Sequence, residues 1–157
     1  MRTSWFGYYS RFNGGLLSIL TYISLYYAFI NTFKKEEMFA FFRTVFYGGL
    51  MVSLYAILEH FGYSLSCLFI TNKFDVQCWI QDVQSRVFAT FGQPNWLAAY
   101  LIMLIPLAFG FLIDQWQRWS KRLIYSTLIL IFFAALLFTA SRSGLLGLAI
   151  GAVFGGG

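Results

Sequence analysis

The sequence predicts an all-α, polytopic integral membrane protein, and three observations lead to that class. Of 157 residues, 59% are apolar and only 11% charged, with a mean hydropathy of +0.68, where an ordinary soluble domain carries about 25% charged residues. A water-soluble fold of this size would lack the polar surface to cover itself. The apolar residues also gather into four runs long enough to cross a hydrocarbon core about 30 Å thick, which takes roughly 20 residues of helix because unpaired backbone groups cannot be left in lipid. Finally, the chain is 22% aromatic, far too much for disorder, and it contains no low-complexity or collagen-like repeat.

The expected spans are residues 15–33, 38–61, 96–113 and 123–140. Residues 144–157 read as a truncated fifth, since 14 residues at 1.5 Å each reach only about 21 Å. The last residues, GAVFGGG, stop inside an apolar run, the pattern of one membrane domain cut from a larger polytopic protein. No short apolar core with a small-residue cleavage site follows Met1, so no signal peptide is expected. Lys34-Lys35-Glu36-Glu37 forms a charged, solvated turn between the first two spans. The third span opens on Gln93-Pro94-Asn95, with Pro94 at the first turn, where a missing N–H costs nothing. Pro106 should kink the same span. Gly144, Gly147, Gly151 and Gly155 leave one helical face without side chains and suit it to close packing on another span.

Residues 62–93 make the longest polar connection and are where chemistry would be housed. Within them Val76, Trp79, Ile80, Val83 and Val87 recur at spacings of three and four, with Gln77, Gln81, Asp82, Gln84 and Arg86 between, which predicts an amphipathic helix at the membrane interface. Lys34-Lys35 and Arg118 with Lys121-Arg122 cluster in short connections, the usual cytoplasmic signature, whereas Arg2, Arg11, Lys73, Arg86 and Arg142 stand singly. The long loop is therefore expected outside the cytoplasm. Cys67 and Cys78 both fall in it, and such a compartment permits a disulfide; two free thiols near lipid are the alternative. One His and two Cys offer no zinc spacing, so no metal and no cofactor is expected. The net charge of +5 lies between apolar runs and not on one polar face, so lipid headgroups or an anionic substrate at the membrane are the expected partners, and nucleic acid is not.

Residues 86–100 read RVFATFGQPNWLAAY, followed by LIMLIPLAFGFLI; residues 139–147 read TASRSGLLG; and the opening reads WFGYYSRFNGGLLSIL. In order and spacing these segments resemble the O-antigen ligase and polymerase family of bacterial membrane glycosyltransferases. There, an Arg and a Gly-x-Pro-Asn turn lead into one span, and a Thr-x-Ser-Arg-x-Gly segment follows the next. The resemblance implies a location in the bacterial inner membrane, a glycan donor carried on undecaprenyl pyrophosphate, and an acceptor that is a glycolipid, a growing glycan or a protein. It also implies that this chain is a central piece, inactive alone, since the family's large external loop, with the His thought to act in catalysis, comes after the Ser-Arg-Gly span.

A departing pyrophosphate needs fixed positive donors, and guanidinium offers permanent charge with planar, bidentate geometry. Arg86 and Arg142 are the main candidates, one approaching the third span and one just past the fourth. Arg11, beside Tyr8 and Tyr9, is a third. The bland alternative for each is a snorkelling side chain that anchors a helix end, and for Lys73 that reading is preferred. Asn95 could cap free amides or contact the sugar, with capping slightly favoured. His60, after Glu59, is expected to be an interfacial polar residue and not the catalytic base, because it does not occupy the family's His position. Two other functions compete: a transporter component for a lipid-linked anion, which should carry ionisable residues in mid-span, and a non-catalytic membrane subunit. Residues 96–113 and 123–140 contain none, which favours chemistry at the surface.

Overall fold

A computed structural model describes residue 5 and residues 15–154. Six α-helices run through residues 15–154, with no strand among the described residues: α1 (Leu16–Thr32), α2 (Lys35–His60), α3 (Leu65–Thr71), α4 (Pro94–Asp114), α5 (Trp119–Phe138) and α6 (Arg142–Phe154), with a short 3-10 turn at Ala89–Phe91 before α4. Three stretches are long and apolar enough to cross a membrane, Glu37–His60, Pro94–Asp114 and Trp119–Phe138, which is compatible with a membrane protein. The first expected span forms a helix of only 17 residues, about 26 Å at the α-helical rise. The last, α6, has 13 described helical residues.

The chain divides into two compact units, Met1–Phe42 and Arg43–Gly157. In the first, α1 buries none of its side chains, and a helix apolar on every side suits a lipid surround. Phe29 lies 4.5 Å from Phe33 and 5.4 Å from Phe41, ring centre to ring centre. The turn between α1 and α2 is closed by the Lys34 amide donating to Glu37 Oε2 at 3.3 Å, so Glu37 acts there as a local cap.

In the second unit, α4 is the central helix. It buries Leu97, Ala98, Leu101, Leu104, Ile105, Ala108 and Leu112, a stripe at spacings of three and four, and it packs on both α5 and α6. The helix runs through Pro106 without interruption. Glycines let backbones approach: a Cβ on Gly49 would collide with Leu104 and lie 3.2 Å from the Phe132 ring, and one on Gly144 would lie 2.8 Å from Ala98 Cβ. The glycine face of α6 is only partly used for this packing. Gly147 would meet Ile102, Gly151 faces open space, and Gly155 lies outside the described residues.

The expected helix over residues 76–87 is absent; turns occupy that stretch, and the loop's α-helix is instead α3. The competition is local. Asp75 Oδ1 accepts from the Gln77 amide at 3.1 Å and Asp82 Oδ1 from the Ser85 amide at 3.3 Å, side-chain contacts that offer the backbone an alternative to a helical ladder. A disulfide joins Cys67 to Cys78 with Cα atoms 5.5 Å apart, tying these turns to α3. Trp79 donates to Ser64 Oγ at 3.3 Å and meets Phe88 edge-on at 5.1 Å. Val83 and Val87 are buried in the resulting lobe while Ile80 is wholly exposed.

Candidate functional site

The Gly92-Gln93-Pro94-Asn95 segment turns the lobe into α4. Gly92 has φ +69° with nothing near a would-be Cβ, so conformation and not crowding calls for glycine. Gln93 occupies the cap position without a side-chain cap bond, and Pro94 is the first helical residue. Asn95 is therefore two residues past the cap position, contrary to the favoured expectation. Its side chain points across to other elements: Asn95 Oδ1 accepts from Ser141 Oγ at 3.0 Å and from Arg86 Nη2 at 3.4 Å.

Ser141 is buried and sits in the corner between α5 and α6, where Ala140 takes φ +48°. Its one hydroxyl proton goes to Asn95, so Ser143 Oγ at 3.1 Å and the Gly144 amide at 3.3 Å are its donors. Behind it, Thr139 Oγ1 donates to the Leu136 carbonyl at 2.7 Å and accepts from the Ser141 amide at 3.3 Å. The Thr-Ala-Ser-Arg corner is thus fixed by its own hydroxyls, and Arg142 leaves it at the first residue of α6, exposed.

Arg86 stands on a strap, residues 84–89, held at three backbone points. The Gln84 carbonyl lies 2.8 Å from His60 Nδ1, the Val87 amide donates to the Phe138 carbonyl at 3.2 Å, and the Ala89 amide donates to Glu59 Oε2 at 2.8 Å. Beside the strap is an open hollow of about 680 Å³ lined by Gln81, Asp82, Ser85, Arg86, Gly92, Gln93, Pro94 and Trp96. One guanidinium N–H of Arg86 is engaged by Asn95, which leaves four for an anion. Asp82 also lines the hollow, with its Oδ1 occupied by the Ser85 amide.

The structure thus puts Arg86, Asn95 and the residue preceding Arg142 into one hydrogen-bonded chain at the Pro94 end of α4. Arg142 does not line the Arg86 hollow. Arg11 lies outside the described residues, and Lys73 is exposed in the turn after α3. His60 is occupied structurally: its ring stacks on Phe138 at 3.9 Å with planes 9° apart. Among the described residues no three His, Cys, Asp or Glu side chains come together as a metal site.

Sequence reasoning missed Ser141 and Glu59 as site residues. For Ser141 a signal existed, the hydroxyl-rich Thr-Ala-Ser-Arg-Ser run. For Glu59 the signal was a carboxylate in an apolar run, which has to find a donor when it is buried. No protein-family model, no curated protein and no solved structure matches the chain.

Proposed function

We propose that this chain is the central part of an O-antigen ligase or polymerase-like membrane glycosyltransferase that moves a glycan from an undecaprenyl-pyrophosphate carrier to a glycolipid, glycan or protein acceptor. The observation that carries the proposal is the Arg86–Asn95–Ser141 chain, which brings the Arg-bearing strap and the Ser-Arg corner to one helix end. In this reading α1, α2, α4 and α5 cross the bacterial inner membrane, and the lobe of residues 62–93 lies on the extracytoplasmic side, where the disulfide is at home.

An acceptor hydroxyl or amide attacks the anomeric carbon, the bond to the pyrophosphate oxygen breaks, and negative charge grows on the diphosphate. Arg86 lines the hollow and supplies donors placed before that charge develops, and preorganised donors of this kind stabilise a transition state without reorganisation; Arg142, exposed at the first residue of α6 and outside that hollow, is the second candidate donor. Asn95 and Ser141 orient the two segments. Arg11, outside the described residues, is a third candidate donor on the sequence resemblance alone. In this reading proton removal from the acceptor belongs to the family's external loop after the Ser-Arg-Gly span.

The test is glycan transfer by the full-length protein carrying Arg86→Ala, Arg86→Lys, Arg142→Ala or Arg142→Lys, with membrane insertion measured alongside. Transfer lost with insertion intact supports the reading, and lysine should rescue poorly because it lacks the bidentate fork. Wild-type transfer in all four leaves a non-catalytic membrane subunit.

A further inference from the structure

We propose that Glu59 and His60, consecutive residues at the end of α2, act as a two-pronged clamp that positions Arg86; the reaction it serves is the one proposed above. The strap from Gln84 to Ala89 is gripped near both ends by these neighbours. His60 Nδ1 meets the Gln84 carbonyl at 2.8 Å and Glu59 Oε2 takes the Ala89 amide at 2.8 Å, with Arg86 between the two grips.

Several independent features fit a clamp. Glu59 is 0% exposed, and its carboxylate interacts with the strap through the Ala89 amide and the Phe88 backbone as well as with Tyr55 on its own helix, while Oε1 makes no hydrogen bond of good geometry. Burying a carboxylate in this way is costly, and a neutral side chain would fill the space more cheaply if filling were its only role. Ala89 takes φ +48°, a conformation a side-chain-bearing residue keeps only when its surroundings hold it. The α2 terminus is itself locked by Gly62, at φ +91°, with the Gly62 amide donating to the Glu59 carbonyl at 3.0 Å and the Tyr63 amide to the Leu58 carbonyl at 2.9 Å, the glycine-terminated helix end that satisfies orphan carbonyls. A Cβ there would strike the Gln84 side chain at 2.6 Å. The glycine is called for by its φ of +91° at the end of α2, since the Gln84 side chain could swing aside. Glu59 and His60 act through the backbone of residues 84–89, so they are positioning residues, and the group that would touch pyrophosphate is Arg86.

The experiment compares wild type, Glu59→Ala, Glu59→Gln, His60→Ala and Arg86→Ala of the full chain in lipid nanodiscs, reading amide hydrogen exchange along residues 84–89 and affinity for inorganic pyrophosphate. Glu59→Ala should speed exchange of the strap by about tenfold, the scale of one charge-assisted hydrogen bond, with α4 amides unchanged, and should weaken pyrophosphate binding by a similar factor. His60→Ala should do the same from the other prong, and it covers the case in which Glu59→Ala fails to fold. Glu59→Gln keeps an acceptor oxygen for the Ala89 amide and should stay within about twofold of wild type in both readouts. Unchanged strap exchange in both alanine variants overturns the clamp. So does a loosened strap with undiminished pyrophosphate affinity where Arg86→Ala has lost it. If wild type and Arg86→Ala bind pyrophosphate equally poorly, the glycosyltransferase reading falls, and strap exchange still decides the clamp.

Discussion

The two ends of α4 both gather arginine and tryptophan, yet they treat the charge in different ways. At the Asp114 end, Arg122 lies over two indoles, 4.1 Å from the Trp119 ring and 5.0 Å from the Trp116 ring. That is a cation–π stack, which needs only apolar neighbours and suits a helix end at a headgroup layer. At the Pro94 end, Arg86 is tied through Asn95 to the buried hydroxyl of Ser141, and its strap is gripped by Glu59 and His60. The contrast separates an anchor from a candidate site: an anchoring guanidinium is held by ring faces, whereas this one is aimed by a network of fixed hydrogen bonds that leaves most of its donors free.

The largest way to break that comparison is to remove the guanidinium at each end in the full-length protein. Arg86→Ala should lower glycan transfer by about a hundredfold or more, the scale of losing one preorganised donor to a developing anion, while Arg122→Ala should leave transfer within about twofold. Equal losses at both ends would erase the distinction.

The disulfide-tied lobe that precedes α4 comes next. Cys67→Ser should destabilise the lobe by about 3 kcal/mol on the chain-entropy model for a loop of this size, read as a lower denaturant midpoint and as faster exchange in residues 62–91. Adding a reductant to wild type should reproduce it.

A paired glycine test sharpens the role of the corner. Gly144→Ala should cost about 1–3 kcal/mol by overpacking against Ala98, and it should also disturb the Ser141 bonds beside it. Gly151→Ala, which meets open space, should be neutral or gain up to about 1 kcal/mol from helix propensity. Thermal unfolding of the two variants in the same lipid distinguishes them.

Ser141→Ala should cost about 1–2 kcal/mol, because Ser143, Asn95 and the Gly144 amide each lose a partner, and it should reduce transfer without preventing insertion. The smallest effect is expected for Arg122→Lys, about 0.5 kcal/mol or less, since a lysine still sits over the indoles with its charge intact.

Much of this architecture was legible in the residues. Apolar runs of about 20 residues marked α2, α4 and α5 because lipid demands internally satisfied backbone, and Pro94 marked the start of α4 because it lacks the donor that a first turn leaves unused. The same periodicity reading failed over residues 76–87. It correctly picked Val83 and Val87 for burial, but Asp75 and Asp82 accept from nearby amides in turns where the helix was expected. Periodicity records which side chains seek an apolar face; it does not record what the backbone does to bring them there.

Sequence alone determined the helical class, the start of α4 at Pro94 and the two arginines as candidates, because each follows from local composition and spacing. Only the tertiary structure decided that Asn95 serves Ser141 and Arg86 instead of its own helix, that Cys67 pairs with Cys78, and that Glu59 grips Ala89 thirty residues away. Those contacts join residues far apart in the chain, and a hydrogen bond is fixed by angles and distances in space that no local pattern encodes.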